Sequence, residues 1–334
     1  YLINSINLPV TYRYSLIIFG RILVAAVVSL GSFGLFYNII WSFKDRSVYK
    51  IFFLFSGFLF VWISLFIFSG SILKINSEVI RLYDYLTSDN IYPRWEGSVH
   101  QSDLLLGYAP RPGSSGKMVK RYLGKTPVRF SEEGFRISAS EDSDKFVDPF
   151  KKSILFLGCS FTFGDACRAE DTFAQITADG LGMNCLNAGV CGYGLAQMVI
   201  CAERLIPMYR PEYVVIQYSP WLTDRSLKLT APSYIGMIPN PFFTCGSDNK
   251  IQLEYPVFRT DVFDIDKDKF RKKYSDSFLS YYLKTGIIYG IKEYLRTIIV
   301  NINSFRICGD RVSAEYYGYS RIIHKAEEYG AIPV

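Results

Sequence analysis

The octapeptide Gly158-Cys159-Ser160-Phe161-Thr162-Phe163-Gly164-Asp165 follows directly on the apolar run Ser153-Ile154-Leu155-Phe156-Leu157 and puts a serine where a nucleophile would sit. A short run of Ile, Leu and Phe stopped by glycine predicts a buried strand, with the chain then turning toward a helix that begins near Glu170. Ser160 therefore falls just past a strand's carboxyl end. At that edge of an open α/β sheet, backbone N–H groups and loop side chains converge on a ligand. A hydroxyl there suits acyl chemistry if a base takes its proton and fixed donors receive the oxyanion. Gly-x-Ser turns also follow strands for purely structural reasons, so the octapeptide does not decide the matter alone.

Two further segments strengthen the reading. Asn187-Ala188-Gly189-Val190-Cys191-Gly192-Tyr193-Gly194 follows a strand-like piece from Met183 to Leu186. Tyr213-Val214-Val215-Ile216-Gln217-Tyr218 forms a third predicted strand, leading into Ser219-Pro220-Trp221-Leu222. In order and spacing these three blocks resemble the SGNH hydrolases, also called the GDSL esterase/lipase family. The resemblance covers residues 151–334, with a weaker lead-in from about Asp103 that includes Phe130-Ser131-Glu132-Glu133-Gly134-Phe135-Arg136. It implies that Ser160 is the nucleophile, that the Ser160 N–H is one oxyanion donor, and that the Gly192 N–H is a second. Glycine lets the backbone approach that oxygen without an intervening Cβ. Asn187 is expected to bond the loop rather than the substrate.

The chain departs from the family in three places. Cys159 stands where the first block usually carries an aspartate, which removes that acid and the loop hydrogen bonds it would make. The third block usually supplies an asparagine as third oxyanion donor, and here Gln217, Ser219, Trp221 and Thr223 are the polar alternatives, among which the sequence does not choose. Losing one such donor from a site that uses it costs on the order of 3 kcal/mol in the barrier. The third departure is the base, because the family places a histidine three residues after an aspartate near the domain's end. His100 has Gly97 at that spacing and His324 has Arg321. His324 reads as a helix-surface residue between Ala314 and Gly330, ahead of a fourth strand begun at Ala331-Ile332-Pro333-Val334. The catalytic Asp and His are accordingly expected beyond Val334.

Elements upstream bear on where such a domain would work. The runs Ile22 to Phe43 and Ile51 to Leu73 are each free of charge, and about 22 residues suffice to cross a hydrocarbon core as a helix. Two transmembrane helices are therefore expected at about 15–43 and 51–73, within a segment 1–75. The connection Lys44 to Lys50 holds three basic residues against one acid, which places it in the cytoplasm and everything after residue 74 outside. The expected partners are the lipid bilayer and an acylated glycan or lipid ester, with the C-terminal domain periplasmic or extracellular. The first residue is Tyr1 rather than Met, and truncation at both ends is the expectation.

Composition fits a tethered globular enzyme. The chain is 49% apolar and 16% aromatic over 334 residues, and its net charge of +6 is spread among acids rather than clustered. That distribution and the lack of any recognition motif argue against nucleic-acid binding. Seven cysteines include no Cys-x-x-Cys pair, so no metal is expected. Cys159 and Cys191 both follow strand ends and are a candidate disulfide, although buried free thiols are the simpler expectation. Thr162 occupies the position where an α/β-hydrolase elbow needs glycine, and neither glycine-rich loop carries a phosphate-loop lysine. No cofactor is indicated.

The remaining architecture follows from the pattern. Residues 76–150 read as an extracytoplasmic lead-in of short strands and a linker. A proline-bearing insertion follows Thr223, then helix-like Phe278 to Ile302, a substrate wall or a surface excursion. The apolar spacing from Leu195 to Met208 predicts a helix that completes a βα repeat. The expected whole is a three-layer α/β/α domain with a parallel sheet at 151–334, preceded by a two-helix transmembrane hairpin, cleaving an ester through Ser160. Acyl transfer by the same serine, or a catalytically silent glycan- or protein-binding module, are the alternatives.

Overall fold

The structure is a computed structural model that describes residues 55, 57, 78–87, 94–120, 122–140, 147–231, 237–246 and 250–334. Apart from Phe55 and Gly57, the two apolar runs at 15–43 and 51–73 lie outside the described residues. No helix among the described residues is long and apolar enough to cross a membrane. The described residues group into two compact units. One joins those up to Tyr83 to Lys273–Tyr294, and the other joins Asp84–Lys272 to Leu295–Val334.

The larger unit is built around four parallel strands: β7 (Ser153–Leu157), β8 (Asn184–Asn187), β9 (Tyr213–Ile216) and β14 (Ile332–Pro333). Their order across the sheet is β14-β9-β7-β8. β7 is apolar on both faces because both are covered, as parallel strands require. Ile154 and Phe156 pack with Cys185 against Ala174 and Ala178 of α3 (Phe173–Gly180). Leu155 and Leu157, equally buried, point to the opposite face, where α4 (Leu195–Tyr209) crosses β7. There α9 (Arg311–Glu328) packs on α4, completing the three layers.

Local signals explain the helix bounds. The Thr172 hydroxyl accepts the Gln175 N–H and so caps α3, which starts at Phe173, three residues after the expected Glu170. The Asp310 carboxylate accepts the Val312 and Ser313 N–H groups at the start of α9. α9 is followed by Gly330 at φ +75°, and the chain then enters β14, pairing Ile332 with Tyr213 and Pro333 with Val214.

From Asp84 onward the lead-in belongs to the same unit. Strands β1 (Arg94–Glu96), β4 (Ser115–Lys120), β5 (Gly124–Phe130) and β6 (Arg136–Ile137) form an antiparallel sheet, and β2 (His100–Asp103) pairs with β3 (Gly107–Pro110). Val99, Met118, Val128 and Phe130 from this region form one apolar cluster with Phe163, which lies three residues after Ser160. The lead-in is thereby part of what supports the serine turn. The insertion adds two short hairpins, β10 (Thr230–Ala231) with β11 (Ile238–Pro239) and β12 (Phe242–Cys245) with β13 (Ile251–Glu254).

Candidate active site at the carboxyl edge of the parallel sheet

In chain order the sheet runs second, first, third, fourth, so the direction of winding reverses between β7 and β9. A crevice opens at such a reversal beyond the strands' carboxyl ends. Ser160 stands there, half-buried, as the first residue of α2 (Ser160–Phe163), a single turn closed by Gly164 at φ +77°. A Cβ at Gly164 would lie 2.1 Å from Thr172 Cγ2, so this position needs glycine for space as well as for its dihedral.

Gln217, the first residue after β9, ties the crevice shut behind the serine. Its Oε1 accepts the Cys159 N–H and the Thr162 hydroxyl, each at 2.9 Å. Its Nε2 donates to Cys159 Sγ at 3.2 Å and to Ser219 Oγ at 3.1 Å. Gly158 is what allows this approach, since a Cβ there would meet Thr162 Oγ1 at 2.0 Å and Gln217 Oε1 at 2.5 Å. The loop after β8 joins in the same way. Asn187 Nδ2 donates to the Thr162 carbonyl at 2.9 Å, and Asn187 Oδ1 accepts the Gly189 N–H at 3.0 Å. Asn187 therefore bonds loop to loop.

Cys159, at the position where the resemblance implies an acid, accepts hydrogen bonds through its sulfur. Burial pushes its thiol pKa up. Hydrogen bonds from the Phe161 N–H, the Trp221 indole, the Gln217 amide and the Ser160 hydroxyl together outweigh burial and carry it below the ordinary thiol value. The Ser160 contact is long, 3.8 Å from Oγ to Sγ. The loop bonds expected to vanish with the acid are thus made to sulfur. Cys159 and Cys191 are not joined, and all seven cysteines are free. In place of a disulfide partner, the Cys159 sulfur has hydrogen-bond donors.

The other expected site residues are partly engaged elsewhere. Gly192 lies at φ +92°, and a Cβ there would come 2.5 Å from Tyr108 Oη. That hydroxyl donates to the Cys191 carbonyl at 2.7 Å and so fixes the loop carrying Gly192. Ser219 Oγ donates to the Tyr218 carbonyl at 2.6 Å. Thr223, fully buried, donates to Glu315 of α9 at 3.1 Å. The indole of Trp221 serves Cys159, while its ring lies 5.6 Å from that of Phe161. Phe161 and Trp221 are 65% and 39% exposed, so two apolar rings stand open beside the serine.

Neither histidine is shown in contact with Ser160. His100 is buried in β2 among the rings of Trp95, Tyr108, Phe130 and Phe263, and burial followed by nearby Lys267 lowers its pKa to about 4. His324 is exposed on α9. Among the described residues no cluster of His, Cys, Asp and Glu is arranged to hold a metal.

Three contributors were missed by the sequence reading. Arg136, almost fully buried, donates to the carbonyls of Phe163, Gly164 and Cys167, and its guanidinium lies 4.0 Å from the Phe163 ring. Tyr108 braces the Gly192 loop, and Glu315 receives both the Thr223 and the Tyr218 hydroxyls. The Phe-Arg pair at 135–136 lay in the segment already noted, yet nothing in its spacing shows which carbonyls a guanidinium will reach. A cavity of about 310 Å³ lies apart from the serine, lined by residues that include Asp103, Glu133, Tyr193 and Arg204.

No family profile and no curated protein matches the chain. Among solved structures, AlinE4, described as an SGNH-hydrolase family esterase, is 14% identical over 56% of this chain and 77% of its own, with a TM-score of 0.21. An aspartate-to-alanine mutant of that esterase is 14% identical over 48% of this chain and 100% of its own, with a TM-score of 0.19. Likeness at that level carries no functional argument, and the reading below rests on the site.

Proposed function

We propose that this chain is a serine esterase of the SGNH type, membrane-anchored, with its α/β/α domain outside the cytoplasm. One observation carries the reading. Ser160 opens a helical turn at the winding reversal of a parallel sheet, and its neighbours are pinned by bonds from the two adjoining loops. Attack by Ser160 Oγ on an ester carbonyl, its proton passing to a general base, forms a tetrahedral oxyanion with the N–H groups of Ser160 and Gly192 as donors. Collapse expels the alcohol, which takes that proton from the base, and leaves an acyl-serine that a water deprotonated by the same base then hydrolyses. The exposed Phe161 and Trp221 rings suit an acyl chain or the apolar face of a sugar. The substrate class is an O-acylated cell-surface glycan or a lipid ester. An acceptor hydroxyl in place of water would make the same serine an acyltransferase.

A second reading has its own observation. Both histidines within the chain serve elsewhere, one walled in by rings and one on a helix surface, so a non-catalytic binding module is the competing class. Fluorophosphonate labelling of the full-length protein separates the two. The esterase reading expects covalent modification at Ser160, found by mass spectrometry and lost in Ser160→Ala. An unlabelled, folded wild-type protein would leave the binding module standing.

A further inference from the structure

The smaller unit presents an inverted helix. After α7 (Phe278–Tyr281) and a π turn (Tyr282–Gly286), α8 runs from Ile287 to Asn303. Within this unit Leu279, Leu283, Ile287, Ile288 and Ile291 are between 39% and 64% exposed. The buried side of the same helix carries Glu293 at 1% exposure and Tyr289 at 9%. A helix facing water shows the opposite order, with polar residues outward and aliphatic ones inward. Ionisable groups turned inward and aliphatic ones outward are the order lipid imposes. The aliphatic spacing continues in the sequence of α8 through Leu295, Ile298 and Ile302.

Chain connectivity says what covers this face. Inside the unit, Tyr83 stacks on Tyr281 with centroids 5.3 Å apart, meets Phe278 edge-on at 5.0 Å, and donates its hydroxyl to the Tyr274 carbonyl at 2.8 Å. A Cβ at Gly286 would lie 2.8 Å from Val79 Cγ1, so the π turn sits tightly on the helical stretch 78–87. That stretch follows the apolar run ending at Leu73 by only Lys74-Ile75-Asn76-Ser77. Five residue steps span at most about 18 Å. Elements packed on residues 79–83 thus lie close to the end of a run long enough to cross a bilayer. Lys284 and Lys292, both exposed, border the aliphatic face, as suits anionic headgroups above an acyl layer.

We infer that the Leu279–Ile291 face lies in the interfacial layer of an anionic lipid bilayer, as an in-plane helix distinct from the two apolar runs. This rests on the anchored reading above. The full-length protein is tested in vesicles of phosphatidylcholine and phosphatidylglycerol, with the exposed Cys167 and Cys245 replaced by serine. A bimane label is placed at Ile291→Cys or, as a control on the other unit, at the exposed Leu181→Cys. The expected result is quenching of the 291 label by lipids carrying a doxyl group high on the acyl chain. Aqueous iodide should quench it several-fold less than the 181 label. Equal iodide quenching at both positions overturns the inference, as does cross-linking of Ile291→Cys between two copies, which would make the face a dimer seam. Carbonate extraction reads the anchor separately. Protein that resists carbonate but shows a water-exposed 291 label keeps the anchor and loses the in-plane helix. Protein that carbonate removes, yet which floats with vesicles until Ile288→Glu and Ile291→Glu are introduced together, loses the anchor and keeps the helix. Extraction without flotation loses both.

Discussion

A single amide side chain joins the residues around the candidate nucleophile. Gln217 offers two acceptor bonds from its oxygen and two donor bonds from its nitrogen, and it spends them on both sides of the switch point. Gln217→Ala leaves the Cys159 N–H and the Thr162 hydroxyl without their acceptor. An unsatisfied buried donor costs roughly 1–3 kcal/mol, so the variant is expected to lose about 2–4 kcal/mol in urea unfolding. It should also slow fluorophosphonate labelling of Ser160 by at least tenfold. Unchanged labelling would mean that the turn holds its shape without the amide. The Cys159 sulfur lies among four hydrogen-bond donors, so a thiol serves this loop as its acceptor without a carboxylate's charge.

The turn that carries the serine is too short to be stable alone, since forming a first helical turn is unfavourable. Its stability comes from neighbouring elements. β6 contributes Arg136, whose charge stays buried because three carbonyls following the turn receive it; burial lowers its pKa to about 10, so it is still a cation at neutral pH. Removing it takes the guanidinium from the Phe163 and Cys167 carbonyls, while the Gly164 carbonyl keeps the Cys167 N–H at 3.1 Å. Arg136→Met is expected to destabilise by roughly 2–5 kcal/mol, at about 1–3 kcal/mol for each buried carbonyl left unsatisfied, and Arg136→Lys to recover only part, because one ammonium does not reproduce the fork. Thermal melts of the two variants check this, and equal melting temperatures for Met and wild type would refute it. A second element-level constraint lies between α9 and α4. A Cβ at Gly318 would meet Leu195 Cδ2 at 2.5 Å, Leu195 Cγ at 2.6 Å and Phe243 Cζ at 3.2 Å. Gly318→Val should therefore cost about 1–3 kcal/mol by overpacking, read by the same melts, with β14 beyond α9 loosened in hydrogen exchange.

Across the larger unit, the buried His100 couples stability to pH. Its pKa falls from 6.5 unfolded to about 4 in the fold, so between those values the unfolded chain binds more protons. The contribution is fully present above pH 6.5 and is lost as pH falls through about 4. Two and a half units correspond to roughly 3 kcal/mol. Urea titrations at pH 7.5 and pH 4.5 should show most of that loss in the wild type, and a visibly smaller loss in His100→Phe. Identical pH slopes would show that the ring is not buried neutral. The four rings around it also explain why this histidine is a core residue of the lead-in rather than a base.

Periodicity alone determined the parallel βα repeat, the strand preceding Ser160 and the helix from Leu195, because a doubly covered strand must be apolar on both faces and a half-buried helix must repeat near every 3.6 residues. Glycines at 158, 164 and 192 were visible as residues too, and their reasons were not. Each meets an atom from a distant segment: Gln217, Thr172 and Tyr108 respectively. Gln217 was legible only as one of four polar candidates near a strand end, since its four bonds run to partners as far as 58 positions away. Arg136 and Glu315 carried no local signal at all. Hydrogen bonds act over about 3 Å, while sequence patterns report only a residue's face and period. Which side chains complete a turn is therefore decided when the sheet brings its loops together.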